Sequence, residues 1–349
     1  MRVEEAEEPG GDWDAFAADR DGGELGHAAA WARVLQDGYG LETRYLACRD
    51  PSGELAGVLP LCEIRTLKGQ RELVSLPFHD TAGVLASCEA SSRALVEAAL
   101  GVARGRGCSA LELRQASRSP GLPAADEECS PGRVGLVLPL ESSEEAQWSS
   151  VRAKVRNQVR KAHKEGLELA EWEPPDLLDG FYECFAINMR DLGSPVHAKR
   201  FFGAMAEGFG ERLRFIVAAD GRRAVGGLVA IQTGNRVTVP WASTLRSERR
   251  RCPNNLIYWE ALRWAVARGA SQLDFGRSPV DGGTYRFKRG WGAEERPLPW
   301  LRLSPQGQPL PLSALGESRA LVGLSSLWTR LPVSLTRQLG PRLRRHISN

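Results

Sequence analysis

An internal repeat of one helix–strand unit constrains the fold of this chain more than any other feature. Glu97 and Glu260 lie in similar helical segments 163 residues apart, and Leu111-Glu112-Leu113 resembles Leu273-Asp274-Phe275 at a separation of 162 residues. In each half, two strand-like runs joined by a turn precede this unit. The near-constant separation predicts two α/β domains with mainly antiparallel strands. A generic likeness of β-turn-β-α-β segments, without duplication, is the alternative.

The length of 349 residues fits two domains of ordinary size. Changes in composition and turn residues give the boundaries of five predicted segments. These are a lead-in over 1–25, a first domain over 26–148, a basic connecting helix over 149–168, a second domain over 169–304 and a basic amphipathic tail over 305–349. Trp13 and Phe16 are expected to dock the otherwise loosely held lead-in.

Composition favours a protein of the cytoplasm. The chain is 42% hydrophobic and 26% charged, with a formal net charge of +3, which is too small to indicate DNA binding. Seven scattered cysteines without a CxxC pair are typical of free thiols in a reducing compartment. The acidic amino-terminal stretch lacks the apolar run of a signal peptide, and no run is long enough for a membrane span.

The sequence lacks the motifs of several classes of catalytic chemistry. The sequence has no GxxxxGK[ST], GxSxG or HExxH motif, and its five histidines are not paired at metal-binding spacing. We therefore expect no metal site and no Ser-His-Asp triad. His79-Asp80 is a weak acid–base candidate that we retain as part of a substrate site.

The stretch from Asn254 to Glu295 carries the densest group of candidate site residues. It begins as a helix with an apolar stripe and ends at Gly269, and a strand over 272–276 follows. Polar and aromatic residues then crowd together in what reads as a loop, and loops at strand ends often carry chemistry. They are Asp274, Arg277, Ser278, Asp281, Tyr285, Phe287, Lys288 and Trp291.

Two further segments are strongly basic. Arg152, Arg156, Arg160 and Lys164 recur at i, i+4, which is unfavourable in a helix unless acids or phosphates balance them. The alternatives are a solvated face and a phosphate contact. From Ser318 to Asn349 there are six arginines and no acid, with leucines between them and Pro332 and Pro341 as helix breaks. This tail suits either packing on a domain or an anionic membrane surface.

With these residues in view, the chain resembles FemAB-related proteins of the GNAT (acetyltransferase) superfamily, of the type associated with exosortase and exopolysaccharide genes. NNLIYWEALRWAVARG, LDFGRS and GTYRFKRGWG resemble the end of their second domain, and VRAKVRNQVRKAHKEGLEL resembles their connecting segment. The resemblance covers nearly the whole chain, and the DFGRS…YxFKxxWG combination is its most specific part. It implies an α/β fold of two tandem GNAT-like domains with mixed, largely antiparallel sheets, followed by the helical basic tail.

The resemblance implies transfer of an acetyl or aminoacyl group from acyl-CoA or aminoacyl-tRNA to an amine. The acceptor would be a nucleotide- or lipid-linked glycan or peptide precursor. Phe287-Lys288 matches the pair that the family places at the reacting carbonyl, where an ammonium stabilises developing negative charge. Asp274 would take the amine proton or orient Arg277, and Tyr285 would relay a proton or clamp substrate. An Asp274–Arg277 ion pair, and core packing of Tyr285, Trp259 and Trp291, are the structural alternatives.

The remaining candidates are assigned by expected contact with acceptor or donor. Substrate-binding residues are Arg277, Ser278, Trp259, Glu260, Trp291, His79 and Asp80. Phosphate or donor contacts are Arg249, Arg250, Arg251, Asn254, Asn255, Arg156 and Arg160. The turn before the second-domain helix lacks glycine, and Pro253 has no N–H, so backbone cradling of a pyrophosphate is weakened. A non-catalytic adaptor at the inner membrane, docked through residues 318–349, is therefore the second functional hypothesis.

Overall fold

A computed structural model describes most of the chain. The described residues are 1–6, 9–20, 22–117, 121–122, 132–312 and 325–348. The predicted tail residues Arg319, Leu321 and Leu324 lie outside them. None of the helices that the structure describes is both long enough and apolar enough to span a bilayer.

In the described part we number fourteen strands and ten α-helices in chain order. The strands are β1 (Arg2–Ala6), β2 (Thr43–Arg49), β3 (Leu55–Arg65), β4 (Arg71–Val74), β5 (Leu85–Ala86), β6 (Ala110–Leu113), β7 (Arg133–Pro139), β8 (Glu168–Leu169), β9 (Leu213–Asp220), β10 (Arg223–Thr233), β11 (Arg236–Thr244), β12 (Gln272–Pro279), β13 (Glu294–Arg296) and β14 (Leu301–Leu303). The helices are α1 (Gly11–Ala18), α2 (Trp31–Tyr39), α3 (Glu89–Gly105), α4 (Glu144–Ser150), α5 (Ala153–Lys164), α6 (Pro174–Asp191), α7 (Lys199–Phe209), α8 (Pro253–Ala267), α9 (Gly283–Gly290) and α10 (Val333–Arg344).

The chain divides into two compact units. Unit 1 consists of Met1–Val134, Pro297–Leu315 and Leu343–Asn349, and unit 2 of Gly135–Arg296 and Gly316–Arg342. This division differs from the predicted boundaries at 148 and 304. The reason is that β14 pairs with β6 in the unit 1 sheet, while β7 pairs with β13 in the unit 2 sheet.

Unit 1 has a seven-stranded mixed sheet in the order β1-β2-β3-β4-β6-β14, with β5 on β3. Helix α3 packs on this sheet, burying Leu95 and Ala99 against Leu59 and Leu111. The expected loose lead-in is instead part of the unit, because β1 pairs with β2 along its whole length. Trp13 is 2% exposed and its Nε1 donates to the carbonyl of His27 at 2.7 Å.

Unit 2 has a seven-stranded sheet in the order β13-β7-β12-β11-β10-β9-β8. Side chains alternate between the two faces of a strand. Ile216 on β9 therefore joins the core beneath α8 and α5, whereas Phe215 contacts Phe181 of α6 on the opposite face. The α6–α7 face is filled by aromatic rings, among them Phe202 and Trp241, whose centroids lie 5.5 Å apart.

The two units repeat one topology, which confirms the predicted fold class. In unit 1, β4 and β6 are parallel neighbours joined through α3; in unit 2, β11 and β12 are parallel neighbours joined through α8. Antiparallel pairs make up most of the rest: β1–β2, β2–β3, β3–β4, β3–β5 and β6–β14 in unit 1, and β7–β13, β8–β9, β9–β10 and β10–β11 in unit 2. A parallel pair needs a crossover connection, and its helix buries an apolar face on the sheet.

One basic segment folds as predicted and the other differs from its sequence pattern. The connecting helix is α5, which is shorter than the predicted 149–168 because the backbone is extended at Val151 and Arg152. The tail helix α10 begins after Pro332 but continues through Pro341, so the predicted break at Pro341 is wrong. Pro341 stands in the last turn, where its missing N–H removes only one intrahelical hydrogen bond.

Candidate active site

Strands β11 and β12 of unit 2 run side by side for only three residues. Their parallel register joins Arg236 to Gln272, Val237 to Leu273 and Thr238 to Asp274. Both strands then continue for several residues, to Thr244 and Pro279, without further register pairs among the described residues. The sheet therefore opens at the carboxyl ends of two neighbouring strands, a common location for ligand sites in α/β folds.

A β-bulge in β11 lies directly beside this opening. Opposite β10, the partner of Ile231 is Thr238, whereas the partner of Val229 is Trp241, so β11 contains one extra residue at Val239–Pro240. Pro240 cannot donate to a neighbouring strand, and proline within a sheet is found chiefly at bulges or edges. This feature escaped our sequence analysis, although a proline inside the strand-like run VTVPWAST is a readable signal.

The bulge changes which residues of β11 face each side of the sheet. Val237 and Val239 pack in the core beneath α8. Beyond the bulge, Trp241 contacts His197 on the α6–α7 face, with centroids 5.5 Å apart. On that face Ser243 Oγ accepts a hydrogen bond of 3.0 Å from Asn188 Nδ2 of α6. The end of β11 therefore presents polar groups toward α6, a second feature missed in the sequence.

Lys288 lies at the corresponding end of β12. The predicted loop after Gly283 is instead helix α9, and Lys288 is only 8% exposed. Its Nζ donates to the carbonyls of Gly276, at 3.1 Å, and Arg277, at 3.0 Å. Gly276 has a φ of +69°, a conformation that favours glycine and turns these two carbonyls out of the regular ladder. The structure thus fixes a cation where the strands have parted.

Phe287 points into the core rather than alongside Lys288. Its ring meets Tyr258 edge-on at 5.2 Å and Trp291 at 6.3 Å, and Tyr258 stacks on Phe275 of β12. Trp291 is 2% exposed, and its Nε1 has no hydrogen-bond partner among the described residues. These rings anchor α9 to α8 and β12.

Asp274 forms a buried ion pair that the sequence analysis did not foresee. Its Oδ2 is 3.0 Å from Nη2 of Arg296, and its Oδ1 accepts from the backbone N–H of Gly276 at 2.7 Å. The carboxylate therefore holds the turn at Gly276 in place. Arg296 lies 22 residues away on β13, which is why the pattern around Asp274 did not reveal it.

Three other predicted residues lie in β12 or α9. Tyr285 donates from its hydroxyl to Glu295 Oε1 at 2.5 Å, and this bond to a carboxylate, with some desolvation, raises the pKa of the phenol. The hydroxyl proton of Tyr285 is thus engaged by Glu295, and the phenol is not suited to act as a base. Arg277 is half-buried, and Ser278 is 1% exposed with no hydrogen-bond partner for its Oγ within the described ranges.

Trp259 and Glu260 occupy structural positions on α8. Trp259 packs against Trp148 of α4, with centroids 4.6 Å apart. The carboxylate of Glu260 binds Arg214 at 3.1 Å and Arg263 at 2.9 Å. Both residues are engaged in packing α8, which supports the structural alternative for Trp259.

The turn before α8 has two kinds of arginine. Arg251 is engaged by Asp220 at 2.7 Å and by Glu248 at 3.1 Å, and it also donates to the carbonyl of Glu165. Arg249 and Arg250 are exposed, and their side chains make no hydrogen bond or ion pair with the described part of the chain. Of the three arginines in this turn, these two are available for a phosphate.

The first turn of α8 is adjacent to the basic helix α5. Asn255 is buried and its Nδ2 donates to Gln158 Oε1 at 3.3 Å, whereas Asn254 is half-exposed. Arg156 caps the preceding helix through three carbonyls, the shortest bond being 2.7 Å to Val151. Arg160 lies over the ring of Trp148 at 5.4 Å and bonds Asn157. The phosphate roles predicted for Arg156 and Arg160 thus compete with structural contacts.

In unit 1 the equivalent opening is filled. After the three paired residues of β4 and β6, Ser75 N still donates to Glu112 O, and Arg114 N donates to Ser75 Oγ. The Arg114 side chain is fully buried and pairs with Glu112 at 2.8 Å. Its Nη1 also donates to the carbonyls of Leu76, His79 and Ser348. A guanidinium thus occupies the place that stays open in unit 2.

His79 and Asp80 belong to this filled region of unit 1. His79 is 5% exposed and meets Trp31 edge-on at 4.2 Å. Burial, assisted by the charge of Arg114, lowers the pKa of His79 to about 3, so the imidazole is neutral at physiological pH. The carbonyl of Asp80 accepts from Trp300 Nε1 at 2.8 Å. These contacts favour a structural role over an acid–base couple.

Within the described ranges, no group of His, Cys, Asp and Glu side chains is arranged to hold a metal ion. The described features of this region are the opened strand pair, the buried Lys288 ammonium and two exposed arginines before α8.

Comparison with known proteins identifies the class. Residues 149–289 match the family model described as the acetyltransferase (GNAT) domain. No curated protein matches the chain. Among solved structures, the chain is similar to FemX (TM-score 0.68, 15% identity, 86% of this chain and 96% of that chain).

Two more solved structures extend the likeness. One is a tandem GNAT protein from the clavulanic acid biosynthesis pathway (TM-score 0.54, 14% identity, 89% of this chain and 100% of that chain). The other is L-PGS from Bacillus licheniformis (TM-score 0.52, 10% identity, 93% of this chain and 99% of that chain). At these identities the likeness establishes the fold.

The fold and the matched domain define an acyltransferase. Residues 149–289 carry a GNAT acetyltransferase domain, and the fold of the chain is similar to that of FemX and of a tandem GNAT protein. The predicted GNAT resemblance is confirmed, whereas the association with exosortase and exopolysaccharide genes stays a prediction.

Proposed function

We propose that the protein transfers an acetyl or aminoacyl group to an amine on a polysaccharide or cell-envelope precursor. The observation that carries this proposal is the opening between β11 and β12, with the buried Lys288 ammonium at its edge. The acyl carbonyl of the donor would lie in that opening. The amine nitrogen would attack the carbonyl carbon, forming a C–N bond and breaking the C–S bond of a thioester or the C–O bond of an ester.

Lys288 is the residue that we assign to the charge developed in this reaction. As the carbonyl carbon becomes tetrahedral, its oxygen gains negative charge, and a cation that is already fixed stabilises it without reorganisation. The amine loses one proton and the leaving thiolate or alkoxide gains one. Asp274 is ion-paired to Arg296, so we assign it to holding the Gly276 turn, and we assign Tyr285, whose hydroxyl donates to Glu295, to accepting a hydrogen bond from substrate.

The donor would be anchored through its phosphates at the first turn of α8. Arg249 and Arg250 are exposed there, and a helix amino terminus favours anions. Acyl-CoA and aminoacyl-tRNA both offer phosphate together with an activated acyl group. We assign Arg277 and Ser278, at the end of β12, to the acceptor, which would be a glycan or peptide linked to a nucleotide or a lipid.

The unit 1 opening is filled by Arg114, so we propose a single donor site per chain, in unit 2. We place the enzyme in the cytoplasm, with peripheral attachment to the inner membrane through residues 318–349. A non-catalytic adaptor in polysaccharide assembly is the second candidate, because Pro253 removes a backbone N–H from the first turn of α8.

The test is product detection by mass spectrometry. The purified protein is incubated with acetyl-CoA or with aminoacyl-tRNA, each against a panel of amino-sugar and peptide precursors linked to nucleotides or lipids. We expect a new amide with one of the two donors, and its formation identifies the donor. Absence of an amide with both donors across the panel, in protein that is folded by circular dichroism, would favour the adaptor.

A further inference from the structure

An exposed patch of leucines and arginines lies on unit 2, apart from the strand opening. Six large apolar side chains are more than about a third exposed in the described part of the chain. Three of them, Leu192 (61%), Leu327 (59%) and Leu335 (37%), come from the end of α6 and from the tail. Exposed single apolar residues are ordinary, but a group of them indicates an interaction surface.

Contacts within unit 2 bring these segments side by side. A Cβ at Gly193, the neighbour of Leu192, would lie 2.0 Å from Ser325 Oγ. Two residues further along is Leu327. Arg190 Nη1 also donates to the carbonyl of Leu331 at 3.4 Å. The segment 325–331 therefore runs along the end of α6, and Leu192 and Leu327 share one surface.

Helix α10, which follows this segment in the chain, carries the same mixture of residues. Its inner face holds Thr336 and Gly340, which approach the loop after α6 so closely that a Cβ at Gly340 would lie 2.8 Å from Val196. Leu335 and Arg342 lie on the exposed side. Small residues of this helix face the protein and a leucine faces solvent. Packing of the helix on unit 2 does not by itself require an exposed leucine.

The charges on this surface are of one sign. Arg330 and Arg342 are exposed, and their side chains have no ion pair or hydrogen bond among the described residues. Residues 325–348 contain no acid. At the end of α6, Asp191 is neutralised by Arg190, whose Nε lies 2.7 Å away. Leucines among unbalanced arginines suit the interface of an anionic bilayer.

We propose that Leu192, Leu327 and Leu335, together with Arg330 and Arg342, form a docking surface for an anionic membrane. This surface is composite: the tail supplies most of it, and the matched acetyltransferase domain supplies Leu192. It rests on and deepens the peripheral membrane attachment proposed above, and it is separable from the acyl transfer, since neither donor binding nor catalysis is needed for docking. The leucines enter the headgroup region and the arginines attract acidic lipids.

The experiment is flotation of the full chain with vesicles of phosphatidylcholine, with or without roughly 30 mol% phosphatidylglycerol to supply the anionic surface. We expect binding to the anionic vesicles that weakens as salt is raised. Leu192→Ser/Leu327→Ser/Leu335→Ser should lower the partition coefficient by at least about tenfold. The matched control is Leu67→Ser, which alters a 53%-exposed leucine of unit 1 and should bind like the wild type.

A second pair of variants tests the charge contribution. Arg330→Gln/Arg342→Gln should weaken binding roughly 25-fold, because each arginine near an anionic surface contributes about fivefold. Arg33→Gln/Arg93→Gln removes the same net charge from exposed helices of unit 1 and should change binding little.

Three outcomes would overturn the proposal. The first is no flotation of the wild type with anionic vesicles. The second is equal loss in the unit 1 controls, which would make binding a matter of net charge. The third is a dimer in light scattering that the leucine variant converts to a monomer without any change in flotation. That result would assign the patch to contact between two copies of this chain. The amide that each variant forms with acetyl-CoA or aminoacyl-tRNA would test the proposed catalysis separately from membrane binding.

Discussion

Replacing Arg114 by methionine is expected to destabilise unit 1 strongly. Arg114 and Glu112 have side-chain exposures of 0% and 4%, so the change leaves an unpaired carboxylate in the interior. It also removes the donor to the carbonyls of Leu76, His79 and Ser348. Breaking a buried ion pair from one side costs about 3–5 kcal/mol. For a unit of this size that corresponds to a fall of roughly 6–20 °C in unfolding temperature.

Calorimetry that resolves the unfolding of unit 1 from that of unit 2 measures the effect. Arg114→Met/Glu112→Leu should recover much of the loss, because neutral replacement of both partners removes the stranded charge. Arg93→Met, which breaks the exposed pair with Glu89, should change the free energy of unfolding by no more than about 0.5 kcal/mol. An Arg114→Met protein that melts within about 2 °C of the wild type would refute the reasoning.

Three more results are expected. Lys288→Met should lower the acyl-transfer rate about 10²–10³-fold with little change in donor affinity. Arg286→Met on the same helix should retain activity. A Lys288→Met protein as fast as the wild type would remove Lys288 from the site. Burial keeps His79 neutral in the folded state, so the free energy of unfolding is expected to fall as pH is lowered from about 6.5, the unfolded pKa, toward about 3, the folded pKa. His79→Gln should reduce this loss in melting scans, whereas His163→Gln, at an exposed histidine, should not. Hydrogen bonding from Ser91 lowers the pKa of the exposed Cys88 thiol, so mass mapping after iodoacetamide at pH 7 should find Cys88 alkylated faster than the buried cysteines; the reverse order would contradict this.

The fold was readable from the sequence because its signals are local and repeated. The similarity of Leu111-Glu112-Leu113 to Leu273-Asp274-Phe275 identified two equivalent strands, and both lie beside a parallel neighbour in the structure. Helix α8 was predicted within one residue or two at each end, since Pro253 and Gly269 mark its limits. Residues that begin or end a helix act through local backbone chemistry, so they can be recognised without knowledge of tertiary contacts.

The side-chain contacts that could not be predicted from the sequence depend on tertiary partners. The sequence suggested an ion pair between Asp274 and nearby Arg277, yet the observed ion pair joins Asp274 to Arg296 on another strand. Arg114 reads as an ordinary strand end, but in the structure it fills the opening of unit 1. Lys288 was identified through the family resemblance, and its bonds to Gly276 and Arg277 depend on a glycine with positive φ.

The most direct test of the central claim is hydrogen exchange by mass spectrometry with acetyl-CoA and, separately, with aminoacyl-tRNA. If the donor lies in unit 2, one of them should slow exchange in 236–244, 253–257 and 272–279, and leave 71–82 and 110–115 of unit 1 unchanged. Arg249→Ala/Arg250→Ala should abolish this protection. Protection in the unit 1 segments, or none with either donor, would contradict a donor site between β11 and β12.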